Sequence, residues 1–66
     1  MSYLQQERKK LGLTQGEIEL KTGIDSSTLS LYENNLRVPS VENAKKLGEA
    51  MGFNWVRLFE KESTDD

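Results

Sequence analysis

Residues 14–35 read TQGEIELKTGIDSSTLSLYENN, and the punctuation of this stretch decides the fold. Thr14 with Glu17 three places on is a capping box: the hydroxyl can accept from the third amide of a helix while the carboxylate reaches back. The helix so opened runs to about Thr22 and stops at Gly23. At two turns it is too short to stand without neighbours. Asp25, a good N-cap, opens a second helix that runs to about Glu33, and Asn34-Asn35 supplies a residue type that tolerates a left-handed helix end. On this second helix Thr28, Leu29, Tyr32 and the following Leu36 fall on or near one face. Ser27, Ser30, Leu31 and Asn34, at i, i+3, i+4 and i+7, fall on another face, small and polar apart from one aliphatic residue. Two helices joined this tightly cross steeply, so that the second projects. A projecting helix of that kind fits the major groove of B-DNA, about 12 Å wide.

The flanking segments have the same helical grain. On the N-terminal side, Ser2 to Lys10 place Leu4, Arg8 and Leu11 on one face. Lys9 and Lys10 suit a helix C-terminus, and Gly12 sits where the helix would stop. On the C-terminal side, Ser40 after Pro39 opens a helix whose apolar face is Val41, Ala44, Leu47, Gly48 and Met51, closed by Gly52. A fifth segment starts near Asn54, with Trp55, Leu58 and Phe59 facing inward or toward a partner. The expectation is an all-α chain of five helices, with one domain over residues 1–59 and a fraying acidic tail over residues 60–66.

Composition narrows the function classes. A chain of 66 residues makes one small domain that hides only about 60% of the surface its unfolded form exposes. It contains no Cys and no His, so disulfides, thiolate chemistry and the commonest metal ligand and general base are all missing. Nowhere do more than two apolar residues stand together. A membrane span needs about 20 and the core of a signal peptide about 7–15. These features predict a cytoplasmic protein with no cofactor, no metal and no evident small-molecule ligand. The formal charge of −2 has to be split: residues 60–66 hold four acids and one base, leaving eight Lys/Arg against seven Asp/Glu in residues 1–59. A nearly neutral domain can bind a phosphate backbone but is not strongly driven to it by bulk charge.

From Leu4 to Phe59 the chain resembles the Cro/phage-repressor (Xre-type) helix-turn-helix family. The residues that carry the likeness are Gly12-Leu13-Thr14-Gln15, Glu17-Ile18, Gly23-Ile24, Ser27-Thr28-Leu29-Ser30, Tyr32-Glu33-Asn34 and Pro39-Ser40. The resemblance implies a compact five-helix, lambda-repressor-like domain that binds double-stranded operator DNA, usually as a dimer. It assigns Gln15 to a backbone phosphate beside a helix N-terminus, and Asn34 and Arg37 to phosphate on the far side of the recognition helix. It assigns Ser26, Ser27, Ser30 and Leu31 to the groove, and Arg8 with Glu33 to an ion pair tying the first helix to the end of the third. Leu31 has two readings: contact with a thymine methyl, or packing against a neighbour or a dimer partner.

The sequence departs from the family in three places. Glu19 stands where a small residue, usually Ala, lets the second and third helices approach, so the crossing is either looser or repacked by Leu20. Asn35 replaces a usual Gly. The helix from Asp25 to Glu33 contains no Lys or Arg and so lacks the bidentate guanine contact. Serine hydroxyls donate or accept toward several base edges, which predicts modest specificity per half-site, helped by DNA shape and bridging water. The favoured expectation is a sequence-specific transcriptional regulator, a repressor from a prophage or mobile element. It would bind a palindromic operator as a weak homodimer completed on DNA, through Trp55, Leu58 or Phe59. The alternative is a protein-interaction module on the same fold, an antirepressor or antitoxin-like partner with little DNA binding. An enzyme is not expected, because Glu17 and Glu19 point to different sides of a short helix and no phosphate-cradling loop follows a strand.

Overall fold

The computed structural model describes residues 2–60. Four α-helices run in chain order: α1 Tyr3–Lys10, α2 Gln15–Thr22, α3 Ser26–Glu33 and α4 Val41–Met51, followed by a 3-10 helix over Trp55–Phe59. Among the described residues there is no strand, and the all-α expectation holds. The fifth helix does not form as an α-helix. Only five residues separate Asn54 from Glu60, fewer than two α-turns, and Trp55-Val56 lose side-chain freedom in a helix. The segment instead takes the tighter winding used for short connectors. Residues 61–66 of the acidic tail lie outside the described residues.

Each α-helix starts on the cap its sequence offers. Ser2 accepts from the Gln5 amide at 3.1 Å, Asp25 from Thr28 at 3.4 Å and Ser40 from Asn43 at 3.1 Å. The capping box is closed on both sides: the Glu17 amide donates to Thr14 Oγ1 at 3.1 Å and the Thr14 amide donates to Glu17 Oε1 at 2.7 Å. Each such cap contributes about 1 kcal/mol, a large share for helices of two or three turns. Asn35, with φ of 60°, supplies the left-handed residue that ends α3.

The core is built from one stripe of each α-helix and from Ile24 in the turn between α2 and α3: Leu4, Ile18, Ile24, Leu29, Tyr32, Ala44, Leu47 and Met51 are all buried, with Leu13, Ala50, Phe53 and Leu58 packed around most of them. Three apolar residues of the predicted helix faces lie outside the core. Leu11 is half exposed because α1 ends at Lys10, and past the Gly12 turn Leu13 takes the inward place. Leu36 lies beyond the Asn35 reversal and is exposed, and Val41, first in α4, is exposed at the rim.

Candidate nucleic-acid interface

The junction between α2 and α3 is fixed at both ends. Gly23 takes φ of 78°, a left-handed value that costs a residue with a side chain about 1 kcal/mol or more. Thr22 Oγ1 donates to the Ile18 carbonyl at 2.8 Å and accepts from the Ile24 amide at 3.1 Å, while the Ile24 side chain is buried. The direction of α3 is therefore set by the turn and by its own root. Leu29 and Tyr32 are buried, and the Tyr32 hydroxyl accepts from Asn43 Nδ2 at 3.0 Å.

The opposite side of α3 faces outward as the periodicity predicts. Ser27 and Asn34 are exposed, and Ser30 and Leu31 are half-buried. Leu31 is thus at the edge of the exposed face, outside the core cluster. Asn34 folds its amide back to donate to the Ser30 carbonyl at 2.8 Å and, at 3.4 Å, to the Ser30 hydroxyl. Arg37 is exposed in the loop after α3 and has no ion pair among the described residues.

Arg8 and Glu33 form the expected pair, with Arg8 Nε donating to Glu33 Oε2 at 2.7 Å and the second terminal nitrogen donating to Oε1 at 3.0 Å. The third arm of the guanidinium donates to the Leu13 carbonyl at 3.0 Å. The hydrogen bond to Glu33 raises the Arg8 pKa above its ordinary value; burial opposes this, and the carboxylate charge adds to it. Glu33 is also where the site reaches α2, because Gln15 Nε2 donates to Glu33 Oε1 at 3.2 Å. Gln15, first in α2, is thereby held against the end of α3 with its second N–H still unused. The capping box occupies the amides of Thr14 and Glu17, and Ile18 donates to the Thr14 carbonyl. The Gln15 and Gly16 amides have no partner within the helix and are left to an acceptor from outside it.

At the other end of α3 the sequence reading missed a contact. Ser26 donates both its hydroxyl, at 2.7 Å, and its amide, at 3.2 Å, to Glu19 Oε1. The signal in the sequence is the carboxylate at a position where the family has a small residue, which by itself points only to the packing of α2 on α3. In the structure Glu19 is exposed and reaches across the turn to cap α3, and Leu20, expected as a possible repacking residue, is 88% exposed.

The three aromatic and aliphatic residues expected at a partner surface divide. Leu58 packs on the core. Trp55 is half-buried, with Phe59 edge-on to it at 6.0 Å, and Phe59 is exposed. Val38, Pro39, Leu58 and Phe59 line one open cleft, and Leu36, Val41 and Val56 add further exposed apolar surface.

The helix-turn-helix family profile matches residues 4–58. The chain belongs to the Cro/C1-type helix-turn-helix family. It is 38% identical over 58 residues to YqaF of Bacillus subtilis (strain 168), described as an uncharacterized HTH-type transcriptional regulator, covering 88% of this chain and 76% of that one. It is 37% identical over 51 residues to y4dJ of Sinorhizobium fredii (strain NBRC 101917 / NGR234), described in the same words, covering 77% of this chain and 66% of that one. No solved structure matches. Among the described residues no helix of this helix-turn-helix chain is long and apolar enough to cross a membrane.

Proposed function

We propose that this helix-turn-helix protein is a sequence-specific DNA-binding transcriptional regulator, a repressor of prophage or mobile-element type that binds a palindromic operator as a dimer. One observation carries the reading: α3 is rooted by Leu29 and Tyr32 while Ser27, Ser30, Leu31 and Asn34 remain outside, and Glu33 holds Gln15 beside the same helix. A helix presented this way can enter the major groove while Gln15, the free α2 amides and Arg37 hold phosphate. A dyad doubles the few contacts one domain makes, with half-sites about 34 Å apart. Phe59, with Val38 in the same cleft, offers apolar surface for the partner copy. Repression follows from occupying duplex that polymerase needs.

Selection of random-sequence duplexes with the chain tests this. A dyad-symmetric consensus is expected, and replacing Ser27 and Leu31 together should change it. Retention of no duplex at low salt would instead favour the interaction-module reading, which the absence of Lys and Arg from α3 suits. Phosphate contacts have a different signature. Gln15→Ala should weaken all sites alike by about tenfold, the loss of one hydrogen bond to a charged group. Arg37→Ala should also weaken all sites alike and reduce the slope of log affinity against log salt by about one. Sequence-dependent losses at either position, seen in a salt titration by fluorescence anisotropy, would remove it from the phosphate set.

A further inference from the structure

We propose that Glu19 is a specificity-determining residue, which makes the tip of α3 select cytosine at the base pair it faces. The inference rests on the DNA-binding reading above and adds a contact outside the residues assigned there to the groove. Ser26 is the first residue of α3, and Glu19 Oε1 lies 2.7 Å from its hydroxyl and 3.2 Å from its amide nitrogen. Any base edge that approaches Ser26 therefore meets the Glu19 carboxylate.

This contact also settles what Ser26 can do. A serine hydroxyl has one hydrogen, and here it is donated to Glu19. The Glu19–Ser26 unit offers only acceptors outward: the remaining lone pairs of the carboxylate and those of the hydroxyl. An unpaired serine suits donor and acceptor edges alike, whereas this unit does not. Thymine O4 and guanine O6 and N7 are themselves acceptors and are repelled. The donors in the major groove are cytosine N4 and adenine N6, and the adenine amino group lies beside the N7 acceptor, leaving cytosine as the edge that matches a carboxylate. Basic residues are absent from α3, and among the described residues Glu19 forms no salt bridge, the nearby Lys21 of α2 included. The neighbouring Asp25 carboxylate is turned to the Thr28 amide and hydroxyl, at 3.4 Å each.

The test is random-duplex selection followed by sequencing, with the full chain as wild type, Glu19→Ala and Glu19→Gln. Thermal melts confirm that the variants are folded, as the exposed position leads one to expect. The wild type should enrich cytosine at one position of each half-site. Glu19→Ala should flatten that position by about tenfold in relative affinity and leave the others unchanged. Glu19→Gln, which can both donate and accept, should admit adenine there. Ser26→Ala removes the shorter of the two hydrogen bonds that hold the carboxylate and leaves the one from the backbone amide, so it should reduce the cytosine preference without shifting it to another base. A wild-type consensus that is unchanged in Glu19→Ala and Glu19→Gln would overturn this proposal alone. A wild-type chain that enriches no sequence would overturn the DNA-binding reading as well.

Discussion

Replacing Arg8 with Ala should cost about 3–5 kcal/mol of folding free energy, the usual penalty for stranding one partner of a buried ion pair. A domain of this size has only roughly 3–10 kcal/mol in total, so the variant should keep a much smaller margin of stability at 25 °C. Glu33 is 4% exposed and takes three N–H groups, two from Arg8 and one from Gln15. Without Arg8 the carboxylate keeps only the weakest of these, and the Leu13 carbonyl loses its donor as well. Urea unfolding followed by circular dichroism checks the figure. A loss below about 1 kcal/mol would place the pair among solvated surface bridges. Because its partner raises the Arg8 pKa, this stabilisation is complete below the ordinary arginine pKa and disappears only as pH rises through the higher folded value. Unfolding near neutral pH should therefore show no dependence on the titration of Arg8.

The same pair allows stability to be separated from function. Arg8→Met combined with Glu33→Leu removes both buried charges and should recover most of the loss, since apolar replacements of buried pairs are often neutral or better. It also removes the acceptor that holds Gln15. The double variant should fold and yet bind DNA more weakly, because an untethered Gln15 must be ordered on binding.

How much of this was legible in the sequence depended on how local the cause was. The capping box, the Gly23 reversal and the Asp25 and Ser40 caps are decided by residues three or four apart, and each formed as read. The division of α3 into a buried Leu29–Tyr32 side and an outward Ser27–Leu31 side is decided by helical period and also formed. The failures needed distance or competition. Leu11 fits the α1 period but falls where the helix has already ended. The segment from Trp55 has helix-compatible residues but too few of them. The Glu19–Ser26 contact spans two helices and depends on a side chain long enough to cross a turn, which periodicity does not describe. The family likeness pointed to Glu19 as a departure without saying where its carboxylate would go.

Gly48→Ala should destabilise the chain by about 1–3 kcal/mol, the cost of overpacking a filled site. In a domain of this size each kcal/mol lowers Tm by roughly 4–8 °C. Helix propensity alone predicts the opposite sign, since Ala is better than Gly inside a helix by about 1 kcal/mol. Space decides against it. A methyl group at Gly48 would lie 2.7 Å from the Phe53 carbonyl oxygen, 3.0 Å from Trp55 Cβ and 3.1 Å from the Trp55 amide nitrogen. Two of these are backbone atoms, and the chain there has little freedom: the Gly48 carbonyl accepts from both Gly52, at 2.8 Å, and Phe53, at 3.0 Å. Gly16→Ala is the control. Its methyl would meet nothing nearer than Thr14 Oγ1 at 3.8 Å, and it should stabilise by about 0.4–1 kcal/mol. Opposite signs for one chemical change in two helices would establish close approach as the cause; a stabilised Gly48→Ala would refute it. The approach of residues 53–55 to α4 also carries the 3-10 helix that bears Phe59. In the dimer proposed above, displacing it should weaken assembly on a palindromic operator more than binding to a single half-site, because the α2–α3 turn lies outside the disturbed contact.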